Sequence, residues 1–270
     1  MNSCILSGLR WLNSSGIQDE SGGVSRYYRH QTASSQPVAP QPVSTAVTGY
    51  FIRSLLWANR FSGDEPSERA RLAGRFLLEQ SFDLSREVFP FEHPVGAGPP
   101  ASLAYFFDCG MTIRALLQLA KATEDPSYLE CAERCGLVLS TRMATVDGGF
   151  FALLDIDTDR PFTDSGSWSV QAEVHQLKVG LAFLELFEAT GRGEFQHATQ
   201  ALRKWCLRRH ESFLSTDEPA PDKIVSQVYA YACFLEGLLP VAALEQDSAR
   251  ALQFGILQIE NLLGEYSEEY

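Results

Sequence analysis

Apolar residues recur along most of this chain at alternating three- and four-residue spacing, the period of an α-helix with one covered face. The pattern predicts helices at about 3–13, 44–60, 67–80, 102–123, 127–143, 169–190, 194–213, 225–243 and 247–265, and Ser44 or Thr45 supplies a capping hydroxyl for the second. Pro37, Pro40 and Pro42 force a loop before that helix, and the prolines and glycines between Phe89 and Pro100 force another. Arg26-Tyr27-Tyr28-Arg29 reads as a short extended stretch, and Glu265 to Tyr270 as a tail. Asp125-Pro126-Ser127 and Gly191-Arg192-Gly193 make tight turns, whereas 144–168 and 214–224 are long loops. Short turns alternating with long loops are what stacked αα-hairpins produce.

The chain also resembles itself. Gly49-Tyr50-Phe51-Ile52-Arg53-Ser54-Leu55-Leu56 matches Gly110-Met111-Thr112-Ile113-Arg114-Ala115-Leu116-Leu117, Ala115 to Thr123 matches Ala182 to Thr190, and Ala232 to Leu239 is a further version. These segments are apolar around most of their circumference, as inner helices covered on both sides must be. The helices at 67–80, 127–143 and 194–213 are amphipathic and charged, as an outer layer should be. The fold expectation is all-α, one domain over 1–270, an (α/α) toroid of about four to five hairpins. An open helical solenoid is the alternative.

Charge narrows the partners. With 34 acidic against 22 basic residues the net charge is −12, which disfavours nucleic acid and anionic membranes. No apolar stretch reaches the ~20 residues of a bilayer span, and the start lacks the basic and apolar regions of a signal peptide. The six cysteines (Cys4, Cys109, Cys131, Cys135, Cys206, Cys233) show no zinc-like or CxxC spacing, so they are expected to be reduced thiols in a cytoplasmic protein. Asp155-Ile156-Asp157-Thr158-Asp159 lacks the glycine and glutamate of a calcium loop. No metal and no cofactor are expected, and no P-loop, GxGxxG, GxSxG or HExxH pattern occurs.

Several segments carry a resemblance: Val47-Thr48-Gly49-Tyr50, Tyr105-Phe106-Phe107-Asp108-Cys109-Gly110, Thr123-Glu124-Asp125-Pro126-Ser127-Tyr128, Asp147-Gly148-Gly149-Phe150 and Gln227-Val228-Tyr229-Ala230-Tyr231. From about Leu9 to about Leu263 the chain resembles the six-hairpin (α/α) toroid enzymes that act on glycans, including uronyl C5-epimerase-like and unsaturated-glycan hydrolase-like domains. Against that pattern the ring is short, because the helix at 247–265 has no inner helix after it.

The resemblance implies a central cleft lined by inner-helix N-termini and the long loops, and those places hold the candidates. Asp108, flanked by aromatics, is a general acid or a carboxylate serving its own helix end. Gln171, His175 and Lys178 fall at i, i+4 and i+7 of the helix predicted at 169–190, either a ligand wall or a hydrated seam. Trp168 is a sugar-stacking platform or core. Gln227 and Tyr229 precede the apolar run of the next inner helix, where Tyr229 is a proton-transfer candidate or packing. Tyr50 and Arg26 belong to the first inner-helix start, with Arg26 as a clamp for a substrate carboxylate.

The functional expectation is a carbohydrate-active enzyme: hydrolysis, elimination or uronate C5 epimerisation, with Asp108, His175 and Tyr229 catalytic. Arg26, Tyr50, Trp168, Gln171, Lys178 and Gln227 would then bind the glycan. The alternative is a non-catalytic helical repeat binding a protein or glycan. Apolar residues of the first and last hairpins, among them Phe254, Ile256, Leu257, Ile259, Leu262 and Leu263, would be covered by ring closure or by a second copy in a homodimer.

Overall fold

The computed structural model describes residues 3–26, 42–62, 67–93, 102–213 and 221–267. The extended stretch expected at 26–29 lies, beyond Arg26, outside the described residues, as does most of both proline-rich loops. The described residues group into two compact units, Met1–Val138 with Asp155–Arg160, and Leu139–Leu154 with Pro161–Tyr270.

The first unit runs α1 (Ser3–Ser14), β1 (Val43–Ser44), α2 (Thr45–Ser62), α3 (Glu68–Phe76), β2 (Glu92–His93), β3 (Leu103–Tyr105) and α4 (Phe106–Thr123), and contains the start of α5 (Pro126–Thr141). The two self-similar segments are the facing parts of α2 and α4, which pack on each other more extensively than any other helix pair of this unit. Gly49 permits that approach, since a Cβ there would come within 3.3 Å of the Thr112 backbone. Ile52, Ile113 and Leu116 are fully buried in the seam, each worth about 1.5–3 kcal/mol relative to exposure.

Ser67 caps α3 by accepting a bond from the Ala70 amide. The helix predicted through residue 80 is α-helical only to Phe76. It widens into a π turn, Leu77–Ser81, closed by the Phe82 amide on the Leu77 carbonyl. The extra residue places the Ser81 hydroxyl 2.9 Å from that of buried Thr45, at the start of α2. At the other end of α4, Glu124 adopts a left-handed φ of 59° and returns its amide to the Ala120 carbonyl.

β4 (Leu153–Asp155) and β5 (Arg160–Phe162) each have residues in both units, and the second unit continues with α6 (Gly180–Thr190), α7 (Gly193–Leu207), α8 (His210–Phe213), α9 (Pro221–Ala242) and α10 (Gln246–Ser267). α6 with α7 is a hairpin, as the Gly191-Arg192-Gly193 turn predicted, and α9 packs on α10 as another; Gly191 closes α6 at φ 72°.

The single helix expected at 169–190 is a correction. Trp168–Val170 and Val174–Val179 are 3₁₀ turns, Gln171 between them is extended, and α-helix begins only at Gly180. Side chains divert the backbone here: Gln171 donates to the Gly166 carbonyl at 2.7 Å and Gln176 to the Phe150 carbonyl at 3.2 Å. The helix expected at 194–213 likewise breaks after Leu207, and the supposed tail is helical as far as Ser267.

Two aspartates of the 144–168 loop hold local structure. Asp147 accepts bonds from Thr145 and from Trp205 Nε1 at 2.8 Å, which hold its carboxyl down at about 2, and it also meets Arg209 at 3.3 Å. Asp155 caps its own turn through the Thr158 amide. Among the described residues no group of three or more His, Cys, Asp or Glu side chains is arranged to hold a metal ion. No disulfide joins the six cysteines, five of which are buried, and burial pushes Cys131 up to about 12 and Cys233 to about 11.

One sequence expectation about membranes needs amending. Val225–Ala242 of α9, 18 residues of mean hydropathy 1.2, meets the length and composition of a span, with 33% of the window buried. On the α9–α10 hairpin Leu239, Ile256 and Leu257 are exposed, while Phe254 packs edge-on against His210. The side chains of Leu262 and Leu263 lie outside the described residues.

Candidate active site

In the first unit, a small sheet forms where α2 and α4 begin. Ser25 bridges Val43, and β1 pairs antiparallel with β2, bringing Ser44 opposite Glu92. The Thr45 amide bonds the Phe91 carbonyl, and the Phe91 amide bonds that of Leu103. These backbone ties set Arg26, Phe91, Glu92 and Tyr105 beside one another. Arg26 donates to Glu92 Oε1 at 2.5 Å and stacks its guanidinium 4.6 Å from the Phe91 ring centre. Phe91 and Tyr105 pack at 4.5 Å, tilted by 30°.

Asp108 follows at the third position of α4. A carboxylate in a first helical turn is normally favoured by the helix dipole. Here desolvation wins: burial pushes the Asp108 carboxyl up to about 7, and Arg26 offsets only part of the rise. The residue nevertheless keeps partial solvent access. The Tyr105 phenol is raised by burial and then by the charge of Asp108, with a smaller contribution from Glu92. Two carboxyls therefore share one neighbourhood, Glu92 tied to a guanidinium and Asp108 raised by burial to about 7.

The second unit holds another group. Trp168 meets His175 edge-on at 5.0 Å and Tyr229 at 5.3 Å with a 57° tilt. Trp168 is half-buried and Tyr229 48% exposed, so the pair presents an aromatic step to solvent. His175 is 1% exposed, and burial holds its imidazole down to about 3. Lys178, also buried, reaches Glu236 Oε2 at 2.9 Å. Glu173 is half-buried with its carboxyl raised by desolvation against the pull of Arg209.

The sequence candidates thus separate by environment. Asp108 with Arg26, and Trp168 with His175 and Tyr229, are brought together as groups. Gln171 does not share a face with His175 and Lys178, because the segment is not one α-helix. In the 3₁₀ turn His175 and Lys178, three apart, are eclipsed instead. Gln227 stands half-buried two residues before Tyr229 on α9. Tyr50 lines a pocket between α1 and α2. Glu92 and Phe91 escaped sequence reasoning, since a two-residue strand in a proline-rich loop has no periodicity to betray it.

No protein-family model matches the chain, and no curated protein matches it. Solved structures do. Unsaturated glucuronyl hydrolase from Bacillus sp. GL1 superposes with a TM-score of 0.56 at 16% identity, over 79% of this chain and 60% of that one. Cellobiose 2-epimerase from Bacillus thermoamylovorans gives a TM-score of 0.65 at 13% identity, over 97% and 73%. An α-mannanase of glycoside hydrolase family 76 from Bacteroides thetaiotaomicron gives 0.62 at 14% identity, over 92% and 68%. The chain spans 60% of the length of the glucuronyl hydrolase it matches. At these identities the likeness speaks for architecture: the chain has the (α/α)-toroid fold of repeated helical hairpins, the fold of these carbohydrate-active enzymes.

Proposed function

We propose that this protein is a carbohydrate-active enzyme that hydrolyses a glycan, with Asp108 as the proton donor. The observation that carries the reading is the Asp108 carboxyl, pushed by burial up to about 7 on a residue that is itself partly exposed, in the same neighbourhood as the Phe91–Tyr105 aromatic pair and the ion-paired Glu92. A general acid works best with a pKa near the working pH. In the reaction the Asp108 proton passes to the leaving oxygen as its bond to the sugar breaks. A water attacks the sugar carbon, and Glu92, steadied by Arg26, accepts the water's proton. Elimination and C5 epimerisation need a base beside a uronate. His175 is a poor one: a buried imidazole with a pKa of about 3 stays neutral and binds a proton weakly. Its role in this reading is to brace Trp168 rather than to move protons.

The neighbours act, by their names, on glucuronyl, mannan and cellobiose substrates. The test is therefore a panel of unsaturated glucuronyl disaccharides, α-mannan oligosaccharides and cello-oligosaccharides, followed for new reducing ends and for loss of ultraviolet absorbance. Turnover that Asp108→Asn abolishes supports the reading. A second reading, a non-catalytic glycan receptor, is favoured by the Trp168–Tyr229 step, which does not involve Asp108. Saturable glycan binding without turnover, lost in Trp168→Ala and kept in Asp108→Asn, would establish it instead.

A further inference from the structure

The first unit holds a pocket of about 510 Å³ apart from the Asp108 group, between α1 and α2. That volume lies in the range of small-molecule sites, roughly 300–1,000 Å³. The two helices present matching faces to it. On α1, Ile5, Leu9 and Leu12 recur at i, i+4 and i+7, and all three are only half-buried. On α2, Arg53, Trp57 and Arg60 recur at the same spacing, and Trp57 remains 45% exposed. The charged residues of the lining are both arginines, with no acid among them, in a chain whose net charge is −12. An apolar wall facing two guanidiniums suits a molecule with one anionic end and one apolar body.

We infer that this pocket binds a small amphiphilic carboxylate, its anionic head between Arg53 and Arg60 and its apolar body against Trp57 and the Ile5–Leu9–Leu12 face. The occupant covers apolar surface that α1 leaves open, and so ties α1 to the unit. Gly8 gives a clean way to fill the site. It lines the pocket, and a Cβ added there meets nothing within 4 Å, so a larger residue extends into the space without straining the helix.

The experiment is isothermal titration of the full chain with octanoate and, as the uncharged counterpart, octan-1-ol. Octanoate is expected to bind one-to-one, and octan-1-ol at least about tenfold more weakly. Replacing both arginines, Arg53→Gln with Arg60→Gln, should bring octanoate down to the level of the alcohol. Gly8→Leu should abolish binding while far-ultraviolet circular dichroism and Tm stay unchanged. Asp108→Asn should bind octanoate like the wild type, which separates this site from the proposed catalytic group. No saturable heat with octanoate at millimolar concentration, equal binding of the alcohol, or undiminished binding by folded Gly8→Leu would each overturn the inference.

Discussion

Arg26 and Glu92, separated by 66 residues in sequence, meet in a 2.5 Å ion pair, and the same guanidinium is the charge that partly restrains the rise of Asp108. Removing a positive charge beside a carboxyl destabilises its ionised form, so Arg26→Met should move Asp108 further up. The alkaline limb of the kcat/KM profile, which reports deprotonation of the acid, is then expected to shift to higher pH. Arg26→Lys keeps the charge and should leave that limb close to the wild-type position while lowering the rate through the lost stacking on Phe91. A limb that does not move in Arg26→Met would detach Asp108 from catalysis.

Asp108 also sets a stability signature. Its folded pKa of about 7 lies above the ordinary 3.8, so the folded state holds the proton more tightly than the unfolded chain. The contribution is complete below about pH 4 and is lost as pH rises through 7. At about 1.4 kcal/mol per unit this is on the order of 4 kcal/mol. Asp108→Asn cannot ionise. Its Tm is expected to equal the wild type's at pH 4 and exceed it at pH 8, while its turnover falls by about 10²–10⁴. Thermal melts across that range, beside the kinetic assay, check both halves.

His175 has the opposite sign. Its folded pKa of about 3 lies below the ordinary 6.5, so its contribution is present above 6.5 and lost as pH falls toward 3. His175→Phe keeps an aromatic edge against Trp168 and removes the titrating group. The variant is expected to withstand acid to a lower pH midpoint and to keep kcat within about threefold. A loss of about a hundredfold would instead mark His175 as a proton carrier.

Trp168 offers the larger face of the aromatic step, with Tyr229 5.3 Å away. A sugar stacked there gains the aromatic contact whether or not it is turned over. Trp168→Ala should therefore weaken glycan binding by about tenfold, and Trp168→Phe should lie between. Titration calorimetry with the panel glycans decides it, and unchanged affinity in Trp168→Ala removes the step from glycan binding.

Much of the fold was legible because its determinants are local. The Gly49 and Gly110 repeats, the Glu124 and Gly191 turns and the amphipathic outer helices each announce themselves within one or two turns of helix. The 3₁₀ run from Val174 was not legible. Six residues at a period of 3.0 look like the first part of an α-helix, and only the bonds of Gln171 to the nearby Gly166 carbonyl and of Gln176 to the distant Phe150 carbonyl reveal the difference. Aromatic flanks singled out Asp108 in the sequence. What raises its pKa is the packing around the carboxyl, and the partner of Arg26 comes from a strand of two residues. Pairings across tens of residues leave no periodic trace, so Glu92 was invisible until the chain was folded.

Gly237 carries the last prediction, because it lets α9 lie directly on that 3₁₀ run. A Cβ at Gly237 would stand 2.6 Å from the Leu177 carbonyl oxygen and 2.7 Å from its carbon. Backbone atoms cannot turn aside as a flexible side chain can, so Gly237→Ala must push α9 away from Val174–Val179. The expected cost is about 1–3 kcal/mol, against a gain of about 1 kcal/mol in helix propensity. Because α9 carries Tyr229 and the run carries His175, the displacement also opens the step at Trp168. Gly193→Ala is the control: it sits at the start of α7, where a Cβ meets nothing within 4 Å, and it should be neutral or slightly stabilising. Urea midpoints for the two variants test the contrast, with glycan affinity as the second readout. If Gly237→Ala matches Gly193→Ala in both, the close seating of α9 on Leu177 is not what holds the aromatic step together.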